Sequence, residues 1–191
     1  SHLKVMGQSA ALADDTILRW LPKQQLWVDP TRLNQLSGEN GLRVIILPGS
    51  FVDNYGKIVT EKISLELVEI VHKAGMLLAA RPTTSRDGVF ESAGMFSLTA
   101  KKGAELLQLI KPIHIEWPIN TLHTRPAALQ MVTLAAASTR PFSTQAEQDW
   151  TPFFNKPSPV LKLQGQRWLK FDIDRLGWFS AQQPLAREGL K

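Results

Sequence analysis

The chain has 191 residues, 43% of them hydrophobic, with 22 basic and 17 acidic residues, a net charge of +5 and no cysteine. Such a length buries a sizeable core as one large domain or two small ones. The absence of cysteine excludes disulfides, thiol nucleophiles and thiolate metal sites. No stretch approaches the roughly 20 apolar residues of a membrane helix, and scattered cations without interleaved aromatics argue against nucleic acid as a partner.

Residues 1–25 open with a small and polar stretch and read as an arm or linker. Ser1 and His2 have the look of a tag remnant, with an export signal expected upstream. Trp20 and Trp27 are heavy apolar anchors that should dock the arm. Residues 29–41 are turn-rich, broken by Pro30, Gly38 and Gly41.

Leu42–Val52 is apolar and β-branched, and Val44, Ile45 and Ile46 in succession suggest a strand buried on both faces or a sandwich-core strand. Asp53–Gly56 is a turn, because Asn and Gly tolerate positive φ and Asp can cap its own backbone. Ile63, Leu65 and Leu67 then alternate with Ser64 and Glu66, the pattern of a half-buried strand. The two strands read as a hairpin or as sandwich neighbours. His72–Pro82 has a helical period and is expected to form one short helix, stopped before Pro82.

Two further strands are expected in Val89–Gly103 and Ala104–Pro118; in the second, Ile113 and Ile115 face away from His114 and Glu116. Leu129–Ser138 fits a strand or a helix, and a strand is favoured because Met131, Thr133 and Leu134 follow a proline turn. Residues 139–160 carry Pro141, Pro152, Pro157 and Pro159 and read as a long loop anchored by Trp150, Phe153 and Phe154. Strands around a Gly165 turn close the chain. Seven to nine short strands separated by Pro, Gly and Asn turns indicate an all-β sandwich. The expected organisation is an arm (1–25), a sandwich module (26–138), and a proline-rich loop with strands packing on or following it (139–191). Two β subdomains are a variant of the same reading.

No chemistry stands out. His114 and His123 lack the compact spacing of a zinc site, and the carboxylates read as solvated strand faces and turn caps. Ser50 lacks the second glycine and the strand-to-helix turn of a nucleophile elbow. Without a Gly-x-x-x-x-Gly-Lys or Gly-x-Gly-x-x-Gly run, a nucleotide cofactor is not expected. The expectation is no catalytic residue, metal or cofactor. Six tryptophans are many for this length, and exposed ones can stack on sugars or anchor partners. Trp117, Trp150 and Trp178, with Arg81 and Arg86, are the candidate binding residues.

One stretch carries a resemblance. Pro48, Gly49, Ser50, Phe51, Asp53, Gly56, Val59 and Thr60 follow a strand; Glu66, Leu67, Met76, Pro82, Thr83 and Thr84 come next, and then Glu91, Ser92, Gly94, Met95 and Phe96. With the Leu-Gly-Trp-Phe ending (Leu176–Phe179), this pattern covers about half of the chain. It resembles a family of bacterial cell-envelope proteins, often lipoproteins. More faintly, with Leu109–Pro118, it is similar to the ZU-type module of ankyrins and netrin receptors. The resemblance implies an Ig-like or ZU-like β-sandwich serving non-enzymatic binding or scaffolding. It places the protein in the periplasm, on the outer membrane or at the cell surface, with a lipid anchor upstream and another envelope protein or a glycan as partner. A carbohydrate-binding or glycan-handling role is the alternative. Some ZU-type modules cut themselves at His-Phe-Ser; here Met95-Phe96-Ser97 lacks the histidine that would activate the serine. On this reading Pro48–Gly56 is a sandwich corner. Pro48 ends the ladder, Gly49 turns the backbone, Phe51 returns to the core, and Asp53 caps the turn.

Overall fold

A computed structural model describes residues 21–71, 84–85, 88–120, 126–134 and 150–184. The expected helix at 72–82, and Trp20, Arg81 and Arg86, lie outside the described residues. Within them the chain is all β, in antiparallel sheets. The first strands are β1 (Lys23–Val28), β2 (Asn34–Ser37), β3 (Arg43–Ile46), β4 (Phe51–Val52), β5 (Ile63–Ile70) and β6 (Thr84–Ser85). Then come β7 (Gly88–Lys102), β8 (Glu105–Leu106), β9 (Gln108–Leu109), β10 (Ile113–Pro118) and β11 (Ala128–Leu134). The chain closes with β12 (Trp150–Pro152), β13 (Ser158–Pro159), β14 (Leu161–Leu163), β15 (Gln166–Ile173) and β16 (Gly177–Pro184).

Two sheets carry the fold. The larger runs β1-β5-β7-β16-β11-β12, with β6 and β8 on β7 and β13 on β11; the smaller runs β14-β15-β10-β3-β2. A small ladder, β4 with β9, stands beside them. Period-two alternation sends one side chain in two to the interior. Ile63, Leu65 and Leu67 of β5 are fully buried, as are Ile113 and Ile115 of β10. They share one core with Val44 and Ile46 from β3, Phe171 and Ile173 from β15, and Phe179 and Ala181 from β16. Strands from the segment after residue 138 are thus interior members of both sheets: β16 lies between β7 and β11, and β15 between β14 and β10.

Aromatic rings fill the interface between the sheets. The Phe96 ring stacks on Phe179 at 5.2 Å and meets the edge of Trp117, from the facing sheet, at 5.0 Å. Phe153 and Phe154, anchors within the proline-rich stretch, pack against Phe179 and Phe171. Such aromatic pairs add about 0.5–1.5 kcal/mol each beyond their burial.

Three local expectations are refined. Of the two readings of residues 43–46, the sandwich-core strand holds and burial on both faces does not: Val44 and Ile46 face the core, while Ile45 is half-buried on the outer side. That strand and β5 do not form a hairpin. β3 pairs with β2 and β10, and β5 pairs with β1 and β7, so they lie in opposite sheets. Each has one apolar face, and the two faces meet across the core. Finally, the single strand expected in Ala104–Pro118 is three pieces, β8, β9 and β10, separated by Leu107 and by residues 110–112 and paired with β7, β4, and both β3 and β15 in turn.

The Asp53–Gly56 turn is as expected. Asp53 Oδ1 accepts from the backbone N–H groups of Tyr55 and Lys57, both at 2.9 Å. Gly56 donates to the Asp53 carbonyl and holds φ at 77°. Ser50 Oγ donates to the Leu47 carbonyl at 2.6 Å, a local backbone bond, and Phe51 is fully buried. Asp53 therefore serves as a turn cap.

Gly94 answers a different need. The register between β7 and β16 slips beside it, between Ala181 and Gln182. Its φ is 147°, and a Cβ there would lie 2.9 Å from the Trp117 ring and 3.2 Å from the Ile70 carbonyl. Only a residue without a side chain lets the facing sheet come this close.

Candidate functional site

The two sheets differ in what their outer sides carry. On the larger sheet, the residues that alternate outward around β5, β7 and β16 are themselves buried. Val68, Ile70 and Met95 form a second apolar cluster, with Leu21 and Trp178 packed on it. Beside it the hydroxyls of Ser92 and Ser180 lie 3.0 Å apart, and both donate to the Gly94 carbonyl. Ser97 is buried in the middle of β7, which is laddered to β5 on one side and to β16 on the other. The Phe96–Ser97 peptide thus belongs to a regular central strand. Toward β1 this face opens, at Glu66 between Lys23 (3.5 Å) and Lys101 (2.8 Å).

The outer face of the smaller sheet is polar and partly open. In β15, Leu169, Phe171 and Ile173 face the core, so Trp168, Lys170 and Asp172 point away from it. In β10 the same alternation turns His114 and Glu116 outward. Register sets these side chains in rows: Arg43–Glu116–Lys170 in one, Ile45–His114–Asp172 in the next. Trp168 stands opposite Pro118 on one side and Leu161 on the other.

Glu116 is the hub. Its Oε1 accepts from Lys170 Nζ at 2.8 Å and its Oε2 from Arg43 Nη1 at 3.2 Å. The hydrogen bond from Lys170, and then that from Arg43, hold the carboxyl below the usual glutamate range, against the opposing effect of desolvation. His114 Nδ1 donates to Asp172 at 2.7 Å, while its Nε2 stands 3.9 Å from Glu116. The Arg43 guanidinium also lies over the Trp168 ring, 4.8 Å from its centre, within cation–π range. Indole, guanidinium, ammonium, imidazole and carboxylates thus form one pre-ordered array. It offers hydrogen-bond donors and acceptors and a flat apolar ring to a partner. Among the described residues, no three His, Asp or Glu side chains converge as metal ligands.

Of the residues expected to bind, Trp117 and Trp178 lie in different sheets. Trp117 is 2% exposed, with its ring against Phe96 and over Gly94, so it is a core residue and has no face to offer a ligand. Trp178 is half-buried on the other sheet, against Val68, Ile70 and Met95. Trp150 opens the edge strand β12, opposite Leu134. Arg81 and Arg86 lie outside the described residues. Trp168 was the tryptophan to name. It is three residues from Phe171, so strict alternation puts the two on opposite faces.

Glu69 is likewise not the solvated carboxylate expected of a strand face. It continues the inward series of Ile63, Leu65 and Leu67, and it is 6% exposed. Its oxygens accept from Gln24 Nε2 (2.8 Å), Asn40 N (3.1 Å) and Leu42 N (3.2 Å). A carboxylate from the larger sheet thereby holds the β2–β3 turn of the smaller one. A Cβ on Gly38 would collide with it.

No family model matches the chain, and no curated protein does. No helix among the described residues is long and apolar enough to cross a membrane.

Proposed function

We propose that the protein is a non-enzymatic binding or scaffolding module of the bacterial cell envelope. In this reading its partner, an envelope protein or a glycan, meets the outer face of the five-stranded sheet. The observation that carries the reading is the array around Glu116. Two cations, a histidine–aspartate pair and a tryptophan are fixed side by side on a regular sheet, where binding would cost little side-chain ordering. The envelope setting rests on the resemblance carried by the Pro48–Gly56 and Glu91–Phe96 motifs.

The glycan form of the reading is favoured by Trp168, whose ring shares its face with acceptors and donors, the combination that sugar recognition uses. The test is capture from a bacterial envelope extract, run beside a glycan array, with the wild-type chain, Trp168→Ala, and Lys170→Glu. Loss of a captured protein or glycan in both variants, with unchanged thermal unfolding, supports the reading. Undiminished capture by both variants contradicts it.

A further inference from the structure

A tryptophan stands where the outer side of the large sheet opens toward β1. In β1, Leu26 and Val28 face the core, so Lys23, Gln25 and Trp27 point outward. Trp27, expected to anchor the N-terminal arm, is instead 56% exposed. Lys62 Nζ lies 4.9 Å from the centre of its ring, within cation–π range. Register continues a row away from the indole: Trp27 pairs with Ser64, Ser64 with Lys101, and Lys101 with Leu106, which is also exposed. Three strand spacings make this row about 14 Å long. Beside it, Gln25 stands opposite Glu66. Gln25 Nε2 donates to Ser64 Oγ at 3.0 Å, and Glu66 accepts from Lys101 at 2.8 Å with Lys23 at 3.5 Å.

The charges of this patch do not balance. Lys23 and Lys101 share one carboxylate, Glu66, and Lys62 lies over an indole rather than against an acid. The patch therefore carries an excess of positive charge. The neighbouring acids are engaged elsewhere. Asp53 caps its own turn, Glu105 accepts from the Asn54 N–H, and Glu61 accepts from the Thr60 N–H and faces Lys102 and Lys57. We propose that this patch binds an acidic polysaccharide, a chain of sugar rings that carry carboxylates. A ring would lay its C–H face on the indole, its hydroxyls would meet Gln25 and Ser64, and the carboxylates would meet Lys62 and Lys101. A row of this length suits linked rings. A neutral glycan would leave the excess charge unanswered, and an acidic peptide would leave the indole without a flat partner. The site lies on the opposite sheet from Trp168 and does not depend on the function proposed for that face.

Calorimetric titration of the full chain at low salt tests this, with oligogalacturonate, its neutral methyl ester and polyglutamate as probes. The expected result is binding of oligogalacturonate in preference to both others. Trp27→Ala should lower that affinity about tenfold. Lys62→Gln and Lys101→Gln should each lower it about threefold, and these losses should fade at high salt. Trp168→Ala should bind like wild type. Trp27 and Lys62 are exposed, so their variants should melt as wild type does. Wild-type protein that does not bind oligogalacturonate overturns the proposal, as does binding insensitive to Trp27→Ala. Equal binding of the methyl ester would remove the role of charge, and equal binding of polyglutamate would reassign the patch to an acidic peptide; either overturns it. Loss of binding in Trp168→Ala would move the sugar to the other face and overturn it too.

Discussion

The two glutamates that organise this sandwich, Glu69 and Glu116, are alike in chemistry and opposite in setting. Glu69 points between the sheets and is closed over by the Gly38–Leu42 turn, accepting bonds from two backbone N–H groups and one amide. Glu116 points outward, and its partners are two cations at the surface. The same contrast holds for whole faces: the outer side of the large sheet is covered around Met95, and that of the small sheet is open around Trp168. Buried polar groups must be satisfied and so fix the fold, whereas surface ion pairs contribute little to stability. The open face can therefore vary its charges at small cost to folding.

Four substitutions break or sharpen that contrast. The largest loss is expected from Gly94→Val, which drives a branched side chain into Trp117 at a φ that valine disfavours. Denaturant unfolding should show at least about 3 kcal/mol of destabilisation, or no folded protein. Glu69→Ala comes next, at about 2–4 kcal/mol, because it leaves three donors unpaired where water enters poorly. Met95→Ala follows at about 2–3 kcal/mol if the covered face is as well packed as its burial indicates. The smallest effect is that of Glu116→Gln, at most about 1 kcal/mol.

Glu116 also has a pH signature. Its folded carboxyl titrates below the ordinary glutamate value, chiefly through Lys170. Its stabilisation is therefore present above the unfolded-state value and is lost as pH falls through the folded one. The gap between wild type and Glu116→Gln should close on acidification, as parallel melting curves from neutral pH downward would show. A gap that widens in acid would contradict the assigned partners.

Much of the fold was legible because alternation is a local signal. The runs Ile63–Leu67 and Ile113–Ile115, the Asp53–Gly56 turn and the Gly165 hairpin each declare themselves within a few residues. Pairing is not local, so the separation of β3 from β5 into different sheets was not readable. The same limit applies to the central places of β15 and β16, which the prolines of residues 139–160 disguised. The candidate site was hidden for another reason. Aromatic mass alone marks an anchor or a platform without regard to parity, so it points to Trp117 as a binding residue and does not single out Trp168. Counting in twos from Phe171 and from Leu67 places both Trp168 and Glu69 correctly.

Hydroxyl-radical footprinting of the native protein, read residue by residue by mass spectrometry, tests the asymmetry of the two faces most directly. Trp168, Leu161 and Leu163 should be modified readily, while Met95, Val68 and Trp117 stay protected until the protein unfolds. Oxidation of Met95 in native protein as fast as in unfolded chain, or protection of Trp168 in the isolated protein, would contradict this account.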